Sequence, residues 1–297
     1  MNLTRQQMSV GSAYSPTFNL CMPKDVPSPK IDSRIYGGFH WYIPRYIRKH
    51  FHALALNQTQ LRSVDIQPTD SLVVYANHSS WWDPLVAMYS AKNMFTGFTF
   101  YAPIDASALE KYRIFSKLGF FPVEQETLQG AKHFLNVCLC LLEQPGTSIW
   151  ITPEGRFVDT RDDSAEFMPG IAHLAHSLQR RSANNAARTW FVPIAIEYTF
   201  WEERLPEILV WFGQPQLVAR SESATSKADW GRRLRAALRN AQQRLAEAAI
   251  ARDESAFEVL LSGGAGTSRV YDAWRRLWAR ITGKQLDLQH GQKLRGK

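Results

Sequence analysis

The sequence predicts an α/β fold: a mostly parallel central sheet flanked by helices, with an N-terminal amphipathic helix and a C-terminal helical extension. Two patterns carry that reading. Short apolar runs rich in β-branched and aromatic residues, at 72–76, 98–103, 119–123, 147–152, 191–200 and 208–213, alternate with longer segments of helical period. Strands that alternate with helices in this way form parallel sheets covered on both faces. Past about residue 221 the helical period continues with no further strand pattern. A chain of 297 residues can bury one large core or two small ones.

Taken in order, residues 1–33 are polar, contain Pro16, Pro23, Pro27 and Pro29, and keep no sustained period, as in a disordered arm. Residues 34–220 are assigned to the α/β domain and 221–297 to the extension. The stretch YGGFHWYIPRYIRKHFHALAL (36–56) interleaves aromatic and basic residues. Ile43, Tyr46, Ile47, Phe51, Leu54 and Ala55 fall near a 3.6 period, and Pro44 is expected to start or kink a helix that continues to Leu56. That helix either docks on the core or lies in a lipid headgroup region. Further helices are expected at 84–95, 107–118 (Ser107 as cap, Glu110 at capping-box spacing), 128–143 and 170–181. In the extension, 228–250 reads as a long alanine- and arginine-rich helix and 254–261 as another. Beyond a glycine-rich break, Val270, Trp274, Leu277, Trp278 and Ile281 repeat at helical spacing among arginines, as in a second membrane-surface helix.

Composition narrows the class. The hydrophobic fraction is 45%, ordinary for a globular protein, and no run approaches the roughly 18 uninterrupted apolar residues of a membrane span. The N-terminus lacks the apolar core of a secretory signal. Cys21, Cys138 and Cys140 fit a reducing cytosol with neither a disulfide framework nor a zinc site. The net charge of +8 is concentrated in two places. Residues 269–297 carry eight basic residues against two acids, and 34–52 carry four against none. Both segments hold aromatics, a combination that suits an anionic membrane surface or nucleic acid. No nucleic-acid recognition motif accompanies it, so the expected location is cytoplasmic, peripheral on the cytoplasmic face of a membrane.

The chemistry concentrates in SLVVYANHSSWWD (71–83). An apolar strand delivers Asn77 and His78 to a turn, and Asp83 follows five residues after the histidine. Such a carboxylate can hold an imidazole in one tautomer and leave its other nitrogen free to take a proton. Two plainer readings stand beside this one: Asp83 before Pro84 also has the form of a helix cap, and His78 could be a structural histidine. Ligands in parallel sheets sit beyond the carboxyl ends of the strands, where both His78 and Glu154 fall.

The residues NHSSWWD (77–83) resemble the Asn-His-four residues-Asp signature of the glycerolipid acyltransferase superfamily, typified by 1-acylglycerol-3-phosphate O-acyltransferases. PEGRF (153–157) is similar to that family's Pro-Glu-Gly motif, FVPIAI (191–196) to its hydrophobic-proline block, and LGFFPV (118–123) to the segment before its phosphate-binding arginine. The likeness spans roughly residues 60–215. It implies lipid metabolism, with a fatty acyl group transferred from acyl-CoA or an acyl carrier protein to a hydroxyl of a lysolipid or other lipid acceptor. His78 would be the general base and Asp83 its orienter, the alkoxide attacking the thioester with no acyl-enzyme. Asn77, Ser79, Gln125, Glu154, Gly155 and Arg156 would bind substrate. No metal or cofactor is implied beyond the donor substrate.

Two departures bear on the acceptor. Where the family carries arginine after LGFFPV, this chain has Glu124, Gln125 and Glu126, and Arg156 follows the Pro-Glu-Gly glycine one place early. Two carboxylates repel a phosphate that a guanidinium would grip, so a neutral or differently placed hydroxyl is expected ahead of lysophosphatidic acid. Three rivals are weaker. His173 and His176 are spaced as helical metal ligands but lack companions. Ser79 or Ser80 as an esterase nucleophile lacks the Gly-x-Ser-x-Gly elbow. A non-catalytic lipid-binding protein on the same fold would not need both His78 and Asp83.

Overall fold

A computed structural model of the chain describes residues 29–180, 188–218 and 225–264. Of the arm expected over 1–33, residues 1–28, Cys21 among them, lie outside the described residues, as does the second basic amphipathic helix around 270–281, while Ile31 bridges to Leu118 and the Asp32 N–H donates to the Lys117 carbonyl at 3.0 Å. In chain order the elements are α1 (Ser33–His50), β1 (Ala53–Asn57), α2 (Thr59–Arg62), β2 (Ser71–Ala76), α3 (Asp83–Met94), β3 (Thr99–Asp105) and α4 (Ala106–Lys111). A 3-10 turn (Arg113–Lys117) leads to β4 (Phe120–Val123), α5 (Leu128–Leu142), β5 (Thr147–Ile151), α6 (Gly170–Arg180), β6 (Thr189–Thr199), β7 (Glu207–Phe212), β8 (Gln216–Val218) and α7 (Lys227–Ala251). A second 3-10 turn (Glu254–Ala256) precedes β9 (Glu258–Ser262).

The strands form one sheet in the order β4-β3-β5-β2-β6-β7-β1-β9, with β8 on β6 beside β7. From β4 to β6 every neighbouring pair is parallel, β7 reverses against β6, and β1 runs parallel to β7. The expected class, a mostly parallel sheet covered by helices, is what is found. Alternation along β2 shows why both faces are covered. Leu72, Val74 and Ala76 point into a core shared with α1 and α3, while Val73 and Tyr75 point into one shared with α5, α6 and α7. Leu72, Val73, Val74 and Tyr75 are wholly buried, each stabilising the sheet by about 1.5–3 kcal/mol.

Three expectations are corrected. The helix over 36–56 starts earlier, at Ser33, capped by the Asp32 carboxylate, which accepts the Arg34 and Ile35 N–H groups at 3.0 and 3.1 Å. It runs through Pro44 and stops at His50. The ALALN that follows is strand β1, paired to β7, because a short apolar run buried on both faces reads equally as helix or strand. Residues 254–261 are not a helix: β9 pairs antiparallel to β1 and covers that edge, so the extension is not all helical. Asp105, not Ser107, caps the helix after β3, accepting the Ser107 and Ala108 N–H groups at 3.0 and 3.2 Å.

Candidate active site

Because β2, β5 and β6 are parallel neighbours, their carboxyl ends open on one edge of the sheet. His78 follows β2, Glu154 follows β5, and Tyr198 is near the end of β6. Asn77 closes the end of β2. It is 1% exposed, its amide nitrogen donates to the Ile196 carbonyl at 2.9 Å, and its amide oxygen accepts the Ile196 N–H at 2.8 Å. Asn77, expected among the substrate contacts, thus uses both ends of its amide to tie β2 to β6.

His78 and Asp83 are in contact. Nδ1 of His78 lies 2.7 Å from Oδ2 of Asp83; a carboxylate only accepts, so Nδ1 is the donor and Nε2 is left outside this bond. The same Oδ2 accepts the Ser80 N–H at 2.9 Å, and Oδ1 accepts the Tyr198 hydroxyl at 2.6 Å. Asp83 therefore turns back toward the turn and β6, and the cap position of α3 falls to Trp82, which makes no side-chain capping bond. The imidazole is 20% exposed while the carboxylate is 4% exposed, so the ring is open on one side and the carboxylate is shielded from water. Burial first, then Asp83's negative charge, push the Tyr198 phenol well above its ordinary range, which keeps it a donor.

Glu154 accepts the backbone N–H of His78 through Oε2 at 3.1 Å, and its side chain is 1% exposed. Expected among the substrate-binding residues, it faces inward and holds the turn that carries His78. Gly155 sits at φ +66, a conformation that favours glycine, and the nearest neighbour to a Cβ there is the flexible side chain of Met168. Arg156 is exposed beside it. Phe157, 58% exposed, lies over His78 with ring centroids 4.3 Å apart, and the Val158 N–H donates to the His78 carbonyl at 2.7 Å.

Ser79 Oγ is buried and has no hydrogen-bond partner, while Ser80 Oγ accepts the Trp82 N–H at 3.3 Å. Gln125 is exposed in the segment after β4, three strands from β2, or about 14 Å at ordinary strand spacing. His176 Nδ1 donates to the Thr225 carbonyl at 3.0 Å, and no group of metal-ligating side chains is found among the described residues. Two residues escaped the sequence reading. The alternation of β6 puts Tyr198 on the face shared with α3, but nothing in the sequence pairs it with Asp83. Phe157 follows the Pro-Glu-Gly motif directly, and that adjacency was its one signal.

An aromatic chain joins the site to α1. Trp82 packs against Tyr46, His50, Phe51 and Trp81 with centroids 4.8–5.6 Å apart, and Phe51 is 5.8 Å from Tyr198. Trp41 and Trp81 stay largely exposed, with the Arg45 guanidinium 3.6 Å over the Trp41 ring. No helix among the described residues is long and apolar enough to cross a membrane.

A search of curated proteins found no significant match. Residues 58–197 match the family model described as Acyltransferase. That segment runs from the end of β1 to within β6 and contains His78, Asp83 and Glu154, with Tyr198 immediately beyond it. Residues 58–197 of this chain are therefore a domain of the acyltransferase family.

Proposed function

We propose that this protein transfers a fatty acyl group from an acyl thioester, acyl-CoA or acyl carrier protein, to the hydroxyl of a lipid. Family membership supports a lipid acyltransferase; the donor, the acceptor and the roles of individual residues are this reading's own. The observation that carries it is the contact between Nδ1 of His78 and a shielded Asp83, which leaves Nε2 outside the pair.

In this mechanism Nε2 removes the acceptor's hydroxyl proton as the oxygen attacks the thioester carbonyl. The new ester C–O bond forms, the C–S bond breaks, and the proton passes from the imidazolium to the leaving thiolate. Asp83 stabilises the imidazolium, and Tyr198 and the Ser80 N–H fix the carboxylate. General-base catalysis of this kind supplies on the order of 10²–10⁴ in rate, the remainder coming from holding the two substrates together. Gly155, Arg156, Ser79 and Gln125 are assigned to the substrate path, and Asn77 and Glu154 to its frame. The exposed Trp41 and Trp81, with the Arg45 guanidinium over the Trp41 ring, support a peripheral position on an anionic membrane from which lipid is taken up.

Glu124 and Glu126 favour an acceptor without a phosphate at that place. Labelled acyl-CoA and acyl carrier protein, each incubated with the protein and a total lipid extract, test the reading, with products identified by mass spectrometry. A new ester on a neutral or non-phosphate-headed lipid is expected. Transfer to lysophosphatidic acid as fast as to any other acceptor would overturn the acceptor assignment, and release of free fatty acid alone would favour an esterase.

A further inference from the structure

Beyond the matched segment, α7 reaches the site through one side chain. Arg239 is 17% exposed. Its Nη2 donates to the Ala165 carbonyl at 2.8 Å and lies 3.2 Å from Oε1 of Glu154, while Nη1 donates to Gln242 at 2.7 Å. The approach to Oε1 is an ion pair without hydrogen-bond geometry, since Oε1 itself makes no hydrogen bond. Glu154 and Ala165 stand near opposite ends of the loop 153–169 that joins β5 to α6. The middle of that loop rests on His78 through Phe157 and the Val158 N–H.

The physical demand is clear at Glu154. A carboxylate that is 1% exposed is costly to bury without a compensating charge. The His78 N–H meets one oxygen, and Arg239 supplies the cation facing the other. One turn earlier on α7, Arg235 donates to Glu166 and to the Asp163 and Ser164 carbonyls, so the same helix face grips the loop again.

We propose that Arg239 is a positioning residue for acyl transfer: by neutralising Glu154 and holding the Ala165 carbonyl, it fixes the backbone of His78 and the loop over it. The proposal rests on His78 as the base. It also makes α7 part of the working site, not merely a cover for the sheet.

The test is a cycle of full-length wild type, Glu154→Gln, Arg239→Gln and the double variant, read by amide hydrogen exchange and by turnover. Glu154→Gln keeps an acceptor for the His78 N–H but removes the charge, so that variant has little need of Arg239. Arg239→Gln alone is expected to speed exchange at least tenfold in peptides covering 77–80 and 153–169, leaving those of β2 and β5 unchanged. With whichever labelled acyl thioester the wild type turns over, kcat is expected to fall by about 10- to 100-fold, the range for a displaced catalytic group, with KM for the thioester within threefold. In the Glu154→Gln background the added effect of Arg239→Gln on both readouts should be under threefold. Equal effects in both backgrounds, or none in either, would overturn the proposal and leave Arg239 a packing residue. If Arg239→Gln alone fails to fold, the double variant decides: it must be folded, and an unfolded one is equally contradictory. His78→Ala, run alongside, separates the two ideas, because retained turnover there refutes the base assignment whatever the exchange data show.

Discussion

The two nitrogens of His78 meet different surroundings. Nδ1 is bound to a carboxylate with three partners, and the ring is the more open member of the pair. Tyr198 belongs to this arrangement because its hydroxyl draws on the same charge that would stabilise the imidazolium. Tyr198→Phe removes one hydrogen bond, worth about 1 kcal/mol, and is expected to lower kcat by roughly three- to tenfold. An unchanged kcat would remove Tyr198 from the site. Asp83→Asn keeps the shape but not the charge and leaves an amide where a carboxylate accepted three donors; kcat is expected to fall at least 100-fold, on the scale of lost general-base catalysis. At this scale the sequence was informative where spacing is local: five residues separate His78 from Asp83, and one short turn brings them together. The inward turn of Glu154, the use of Asn77 as a brace, and Tyr198 were not legible, since each depends on a partner more than 70 residues away.

Among the elements, α1 is docked by Ile43 and Ile47 and by a histidine, His40, which is 4% exposed with neither ring nitrogen hydrogen-bonded. Burial first, then the charge of Lys92, hold its pKa down to about 4. The sign follows. In the unfolded chain the ring protonates near its ordinary 6.5, whereas in the folded protein it stays neutral until about 4. Stability from this residue is thus full above about 6.5 and is lost as pH falls toward 4, by at most roughly 3 kcal/mol. Urea unfolding at pH 7.5 and 5 should show a smaller loss in His40→Leu than in wild type; an equal loss in both would contradict the assignment. The element boundaries that misled, residues 53–57 and 258–262, are short apolar runs. Length and long-range pairing, not period, make them strands.

At the scale of the whole molecule, β9 returns from the end of α7 to cover β1. An uncovered edge strand exposes unpaired N–H and C=O groups and invites association. A chain ended at Asp253 is therefore expected to aggregate on size-exclusion chromatography, whereas a monodisperse product would mean that this edge needs no cover. The alternation of strands and helices made the central sheet legible, and four motifs in order made the site's location legible. The grip of α7 on loop 153–169 was not, because arginines scattered on a long helix look alike until the fold chooses which of them face the loop.

The most direct measurement is turnover by His78→Ala beside wild type, with a labelled acyl thioester and lipid acceptor, and binding to anionic liposomes measured on the same preparations. Transfer should fall by at least 10²-fold, the scale of general-base catalysis, with liposome binding nearly unchanged. Transfer that persists within a few-fold of wild type would contradict the assignment of this imidazole as the base.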